Sequence, residues 1–177
     1  RSGAAAMQEL IDATRAYLEG REFTPTVMPH PYAFNLFSHN TAIDPETGYN
    51  DEETKVIREL RKIFDEPDLK ATATCVRVPV LRAHSIALNV TFDRPMSPAQ
   101  AREILGAAPG LTLVDDVARN HFPMPNEASG GDDVLVGRIR TDLSDPTGRT
   151  LSLFVVGDQL LKGAALNAVQ IAEAVAR

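Results

Sequence analysis

Cys75-Val76-Arg77-Val78-Pro79-Val80-Leu81-Arg82-Ala83-His84-Ser85 is the stretch around which the chain is organised. The run from Ala71 to Val80 is rich in Thr and Val and bounded by charged turns, which predicts a strand. Pro79 has no N–H for a ladder, so regular pairing is expected to end near it. In a regular strand Arg77 points opposite to Val76 and Val78 and so leaves the apolar layer. Arg77 then offers a planar fork suited to a carboxylate, and His84 offers a ring that titrates near neutrality. Arginines pairing with surface acids and a structural histidine would give the same spacing, so spacing alone does not separate these readings.

Working outward, Ala4–Glu19 reads as a helix, with Ala4, Met7, Leu10, Ile11, Thr14 and Leu18 at helical spacing and Gly20 as its stop. Pro25 and Pro29 force an extended passage, and Ala33–Phe37 is a short apolar piece, strand or buried loop. A second helix, capped by Asn50 or Asp51 and running to about Phe64, has Glu52 and Glu53 in its positive first turn. Its expected buried stripe is Val56, Leu60 and Ile63. Glu52 and Lys55 share one face of it, which on composition alone is an ordinary solvated ion pair. Ser85–Asp93 alternates as a strand, Ser97-Pro98 opens a helix through about Leu105, and Leu111–Val114 is a short strand. Val134–Arg140 alternates cleanly, Leu151–Val156 is a continuous apolar strand, and a last helix covers about Leu160–Ala176. The long polar connection 115–132 holds His121 and is of a length usually functional or interfacial. Neighbouring hairpin strands mixed with crossover helices predict an α+β fold: a mixed, largely antiparallel sheet with helices on one face.

The bulk properties narrow the class. Hydrophobic residues make up 44% and charged residues 24%, which is globular composition rather than disorder. A formal charge of −6 without any basic run argues against a nucleic-acid surface. No apolar stretch approaches the roughly 20 residues that span a bilayer. The single Cys75 excludes an internal disulfide and any cysteine-rich zinc site, and no His spacing suggests a metal. One domain with a sizeable core is expected over 1–177, two small ones not being excluded, in a cytoplasmic enzyme that contacts neither nucleic acid nor membrane.

The central stretch, Cys75 to Val80 followed by Arg82, His84 and Ser85, resembles the signature of aspartate-semialdehyde dehydrogenases. Ser2-Gly3-Ala4, Glu52-Glu53-Thr54-Lys55, Asp133–Arg140 and Leu161–Glu173 resemble the same family, in the same order and at similar spacing. The resemblance covers essentially the whole chain. It implies the architecture of the carboxy-terminal domain of glyceraldehyde-3-phosphate-dehydrogenase-like enzymes, with the free sheet face packed on a second subunit in a homodimer, a tetramer being open. It also implies reductive dephosphorylation of aspartyl phosphate to aspartate semialdehyde with NADP as cofactor, in lysine, threonine and methionine biosynthesis. On this resemblance His84 is the acid/base group and Arg77 the clamp on the substrate carboxylate. Glu52 meets the substrate amino group or orients Arg77, and Lys55 binds phosphate. Ser2, Gly3 and Asn167 match positions that approach the cofactor.

The departure from the family pattern is as informative. The family's nucleophilic cysteine, its substrate-binding glutamine and its Gly-rich phosphate turn precede the position of Ser2, and no G-x-G-x-x-G turn occurs here. The chain is therefore read as the dimerisation and substrate-binding part of a longer two-domain enzyme, inactive alone. Cys75 is a small buried apolar residue in this reading and not the nucleophile. Two alternatives fit less well: an N-acetylglutamyl-phosphate reductase, expected to carry a different histidine segment, and a non-catalytic dimerisation module. Arg77, His84, Glu52 and Lys55 are expected to converge on one concave face.

Overall fold

The computed structural model describes residues 3–176, and Ser2, expected near the cofactor, lies outside the described residues. The chain forms two compact units that divide after Leu81.

The first unit opens with α1 (Gly3–Leu18), whose buried stripe is Ala6, Glu9, Leu10, Ala13 and Ala16. Ala6 and Leu10 pack with Met28, Tyr32 and Phe37 into a small core. Glu9 is buried at no loss of polar contact, since its carboxylate accepts from the backbone N–H groups of Thr26, Val27 and Met28 at 2.6–2.9 Å. The Pro-rich passage is thereby tied to the helix that precedes it. Next come β1 (Phe37–Ser38), α2 (Asp51–Ile63) and β2 (Val76–Arg77), with β1 and β2 antiparallel and Phe37 opposite Arg77.

Two expectations fail here. The strand over Ala71–Val80 shrinks to Val76–Arg77. Cys75 C=O still accepts from His39 N–H in line with the β1–β2 pairing, but its N–H donates to the Glu53 carboxylate, and the residues before it join no ladder. Val76 and Val78 are consequently 43% and 36% exposed rather than part of an apolar layer. The expected buried stripe of α2 forms only in part: Val56 and Leu60 are half-buried, Ile63 is 75% exposed, and Glu53 is the buried residue. Its N-terminus is closed by a reciprocal cap between Asn50 and Glu53.

The second unit is an α+β layer. β3 (His84–Thr91), β6 (Thr150–Gly157), β5 (Val134–Thr141) and β4 (Leu111–Leu113) lie in that order. The first three pair antiparallel and β4 joins β5 parallel, after the crossover helix α3 (Pro98–Ala107). Ser97 caps α3 through a reciprocal box with Gln100, and Pro98 sits at a first-turn position where its missing N–H costs nothing. Ala101 of α3 meets Ile139 and Leu151, with Phe92, Met96, Leu105 and Leu153 around them, so one sheet face is covered by this helix. The expected mixed, largely antiparallel sheet with helices on one face is what forms.

β5 does not alternate cleanly. Its register with β6 shifts between Gly137 and Arg140, and Arg138 takes φ 55°, in the left-handed region. The bulge is stapled by Asp115, which accepts from Arg138 N at 2.7 Å and pairs with Arg102 Nε at 2.7 Å. Gly137 is required beside it, because a Cβ there would collide with the Val114 carbonyl. The connection 115–132 contains an isolated bridge between Asp116 and His121 and the short helix α4 (Pro125–Ala128). After β6 the chain makes a π-helical turn, Leu161–Ala165, before α5 (Leu166–Val175).

Candidate active site

In the first unit the site is assembled by the cap of α2. Asn50, 2% exposed, accepts from Glu53 N at 2.9 Å, while the Glu53 carboxylate accepts from Asn50 N at 3.0 Å. The other Glu53 oxygen accepts from Cys75 N at 2.8 Å. One carboxylate thus closes the helix cap and fastens the residue before β2 to it. Glu52 and Lys55 follow on the same first turns and form an ion pair, Nζ to Oε1 2.7 Å. The hydrogen bond to Glu52 raises the Lys55 pKa, burial opposes it, and Glu52, Glu59 and Cys75 add to the rise. Lys55 is therefore a fixed ammonium near neutrality.

The same surroundings disarm Cys75. Burial pushes its thiol up, and the Glu53 and Glu52 carboxylates push it further, against only partial opposition from Lys55. A catalytic cysteine needs the reverse, an electropositive setting that favours the thiolate. The reading of Cys75 as structural gains a physical cause.

Arg77 stands on β2, its Nε and Nη2 both donating to Asn40 Oδ1 at 3.1 and 3.0 Å. The amide orients the guanidinium without neutralising it, and among the described residues Arg77 forms no ion pair. Tyr32 lies near enough that Arg77 opposes the rise that burial gives its hydroxyl. An oriented, uncompensated guanidinium is what capture of a carboxylate demands. The alternation argument located Arg77 but not Asn40. The bond spans a separation of 37 residues, and no sequence signal pairs them.

In the second unit His84 is exposed at the start of β3, opposite Gly157 of β6. Asn167 is exposed on the first turn of α5, directly after the π turn. Gly3, the first residue of α1, is also exposed, with no atom within 4 Å of where a Cβ would stand. Glu52, Lys55 and Cys75 are thus brought together by one helix cap with Arg77 on the adjoining strand, and His84 and Asn167 belong to the other unit. Among the described residues no group of His, Cys, Asp or Glu could hold a metal ion. Within the first unit the chemistry on offer is recognition of anions: one ammonium, one guanidinium and a carboxylate beside them.

Residues 2–162 match the family model for the semialdehyde dehydrogenase dimerisation domain. An aspartate-semialdehyde dehydrogenase of Synechocystis is 53% identical over 172 residues, covering 97% of this chain and 50% of that protein. One from Aquifex aeolicus is 44% identical over 173 residues, again covering 97% of this chain and 50% of the relative. Among solved structures, aspartate semialdehyde dehydrogenase II from Vibrio cholerae complexed with ASA matches with TM-score 0.88 and 36% identity, over 96% of this chain and 49% of that one. The chain spans about half the length of the curated relatives it matches.

Proposed function

This chain belongs to the semialdehyde dehydrogenase family through its dimerisation domain, and from that premise we propose that it is the substrate-binding and dimerisation part of an NADP-dependent aspartate-semialdehyde dehydrogenase. The complete protein would be a cytoplasmic oxidoreductase converting aspartyl phosphate to aspartate semialdehyde, in the route to lysine, threonine and methionine. Among the described residues no helix is long and apolar enough to cross a membrane. The observation that carries the reading is the pairing of an oriented, uncompensated Arg77 with Lys55 and Glu52 on the helix whose cap holds Arg77's own strand.

The substrate presents a carboxylate, an amino group and an acyl phosphate, and the chain has a complementary group for each. Arg77 grips the carboxylate, Glu52 meets the ammonium or steadies Arg77, and Lys55 holds the phosphoryl oxygens as a compact cation. Phosphate leaves as a cysteine sulfur, supplied outside this chain, bonds to the acyl carbon; His84 holds and moves the proton at the imidazole. Bound NADPH supplies the hydride that releases the aldehyde. The bare Gly3 and the exposed Asn167 leave room for peripheral contacts to such a cofactor, and its phosphate cradle is expected outside the chain.

Replacing Lys55 by Ala in the full-length protein tests the assignment. The expected result is a KM for phosphate raised about 10- to 100-fold in the semialdehyde-oxidising direction, the loss of one charge-assisted contact of about 1.5–3 kcal/mol, with the KM for semialdehyde little changed. Equal effects on both constants, or none, would sink the phosphate role.

The partner proposed is a second copy of the chain, met through the sheet. Ala87, Asn89, Ser152 and Phe154 lie on the face away from Leu151 and Leu153, where α3 packs. Sedimentation of the full-length protein is expected to give a dimer at micromolar concentration. A monomer there would contradict this.

A further inference from the structure

His84 follows directly on a residue in an unfavourable backbone state. Ala83 has φ 79°, in the left-handed region that residues with a Cβ seldom occupy. Such a state persists only where the surroundings over-determine it. Here they are specific: Ala83 N–H donates to Gln159 Oε1 at 2.8 Å, and the Arg82 carbonyl accepts from Ser129 Oγ at 3.4 Å. Arg82 Nε lies 2.7 Å from Asp158 Oδ2, as an ion pair whose N–H is not aligned as a hydrogen bond. The Asp158 side chain is fully buried. It also accepts from Gly130 N at 2.7 Å, Leu160 N at 2.8 Å and Leu161 N at 3.2 Å. Burial alone would raise this carboxyl, but these contacts together bring it down to about 2, so it is ionised at any working pH.

The carboxylate already has three backbone donors without Arg82. An ion pair with one partner fully buried and the other part-exposed is also weak evidence for stability, because desolvation of the buried carboxylate offsets much of the attraction. What the pair does accomplish is geometric. Gly157 is the register partner of His84, so the pair ties the residue just past that partner to the strained turn just before His84.

We propose that the ion pair between half-buried Arg82 and buried Asp158 is a positioning device that locks the left-handed Ala83 and thereby sets the direction in which the His84 imidazole is presented. The inference rests on the reading of His84 as the acid/base group. Arg82 acts through the backbone and touches no substrate.

The test uses the full-length enzyme with Arg82→Gln, Arg82→Lys, His84→Ala and the Arg82→Gln/His84→Ala double variant, measuring kcat and KM across pH. Arg82→Gln is expected to lower kcat about 10- to 100-fold, as small misplacements of a reacting group do, with KM for semialdehyde nearly unchanged. Arg82→Lys should restore most of kcat, because the contact is a charge pair rather than a directed hydrogen bond. In the double variant Arg82→Gln should add no further loss, since its effect runs through His84. Retained kcat in Arg82→Gln, or losses that multiply in the double variant, would overturn the proposal. Should Arg82→Gln not fold, Arg82→Lys still decides: a loss of about tenfold or more there would show that charge at this site does not hold His84. If His84→Ala itself keeps kcat, the acid/base reading fails and this inference falls with it. If His84→Ala loses kcat while Arg82→Gln does not, only the positioning role is lost.

Discussion

Replacing His84 by Ala in the full-length protein is expected to lower kcat by about 10²–10⁴-fold while leaving KM for the semialdehyde nearly unchanged, the signature of a lost proton-transfer group. The imidazole is exposed at the first residue of β3, at a strand end held against Gly157, so it is presented from a rigid element. Imidazole is the side-chain type whose charge change falls between about pH 5 and 8, which suits a group that both takes and returns a proton. The reaction needs both acts, because the thiol must lose a proton before attack and the sulfur must regain one once the aldehyde has departed from it. Kinetics from about pH 5 to 9 should show a limb for His84 in wild type that vanishes in the variant. A variant keeping kcat within a few-fold of wild type would exclude His84 from the chemistry.

Arg77→Lys is expected to fail differently. The guanidinium is oriented by two hydrogen bonds to Asn40 Oδ1, a neutral acceptor that leaves its charge in place. Lysine keeps the charge but loses the fork, and with it the two-point grip on a carboxylate. Loss of one charged hydrogen bond, about 1.5–3 kcal/mol, corresponds to a KM for semialdehyde raised about 10- to 100-fold. Turnover at saturation should change much less, since the clamp contributes mainly to binding. Unchanged KM with a large fall in kcat would mean that Arg77 acts on the reacting centre instead.

Much of the fold was legible because local and global signals agree. The bounds of α1, the caps of α2 and α3 and the apolar run of β6 form near where they are expected, although of the expected α1 stripe only Leu10 is buried, and Ala6, Glu9, Ala13 and Ala16 take the places of Ala4, Met7, Ile11, Thr14 and Leu18. The misreadings share a cause: polar side chains taking over backbone groups. Ala71–Val80 has strand composition, yet the Glu53 carboxylate claims the N–H of Cys75. Val134–Arg140 alternates in sequence, yet Asp115 draws the backbone of Arg138 out of register. Neither competitor is near in sequence, so no window of residues exposes it. For the candidate site, Arg77 is singled out by residue type and by the family resemblance, whereas Glu52 and Lys55 rest on the resemblance, their composition alone reading as a solvated ion pair. Asn40 was missed, since nothing local marks an amide as the orienting partner of an arginine 37 residues away. Asp158 was more accessible: an acid between an apolar strand and a helix start is an ordinary capping signal.

The central claim is that these residues supply recognition, proton handling and dimerisation, while the nucleophile lies elsewhere in the protein. Steady-state assay of residues 1–177 beside the full-length protein, with aspartate semialdehyde, phosphate and NADP, tests it most directly. The account predicts phosphate-dependent NADP reduction by the full-length protein and none by residues 1–177, whose one cysteine is held protonated by burial and by Glu53 and Glu52. Turnover by residues 1–177 alone, or none by the full-length protein, would contradict it.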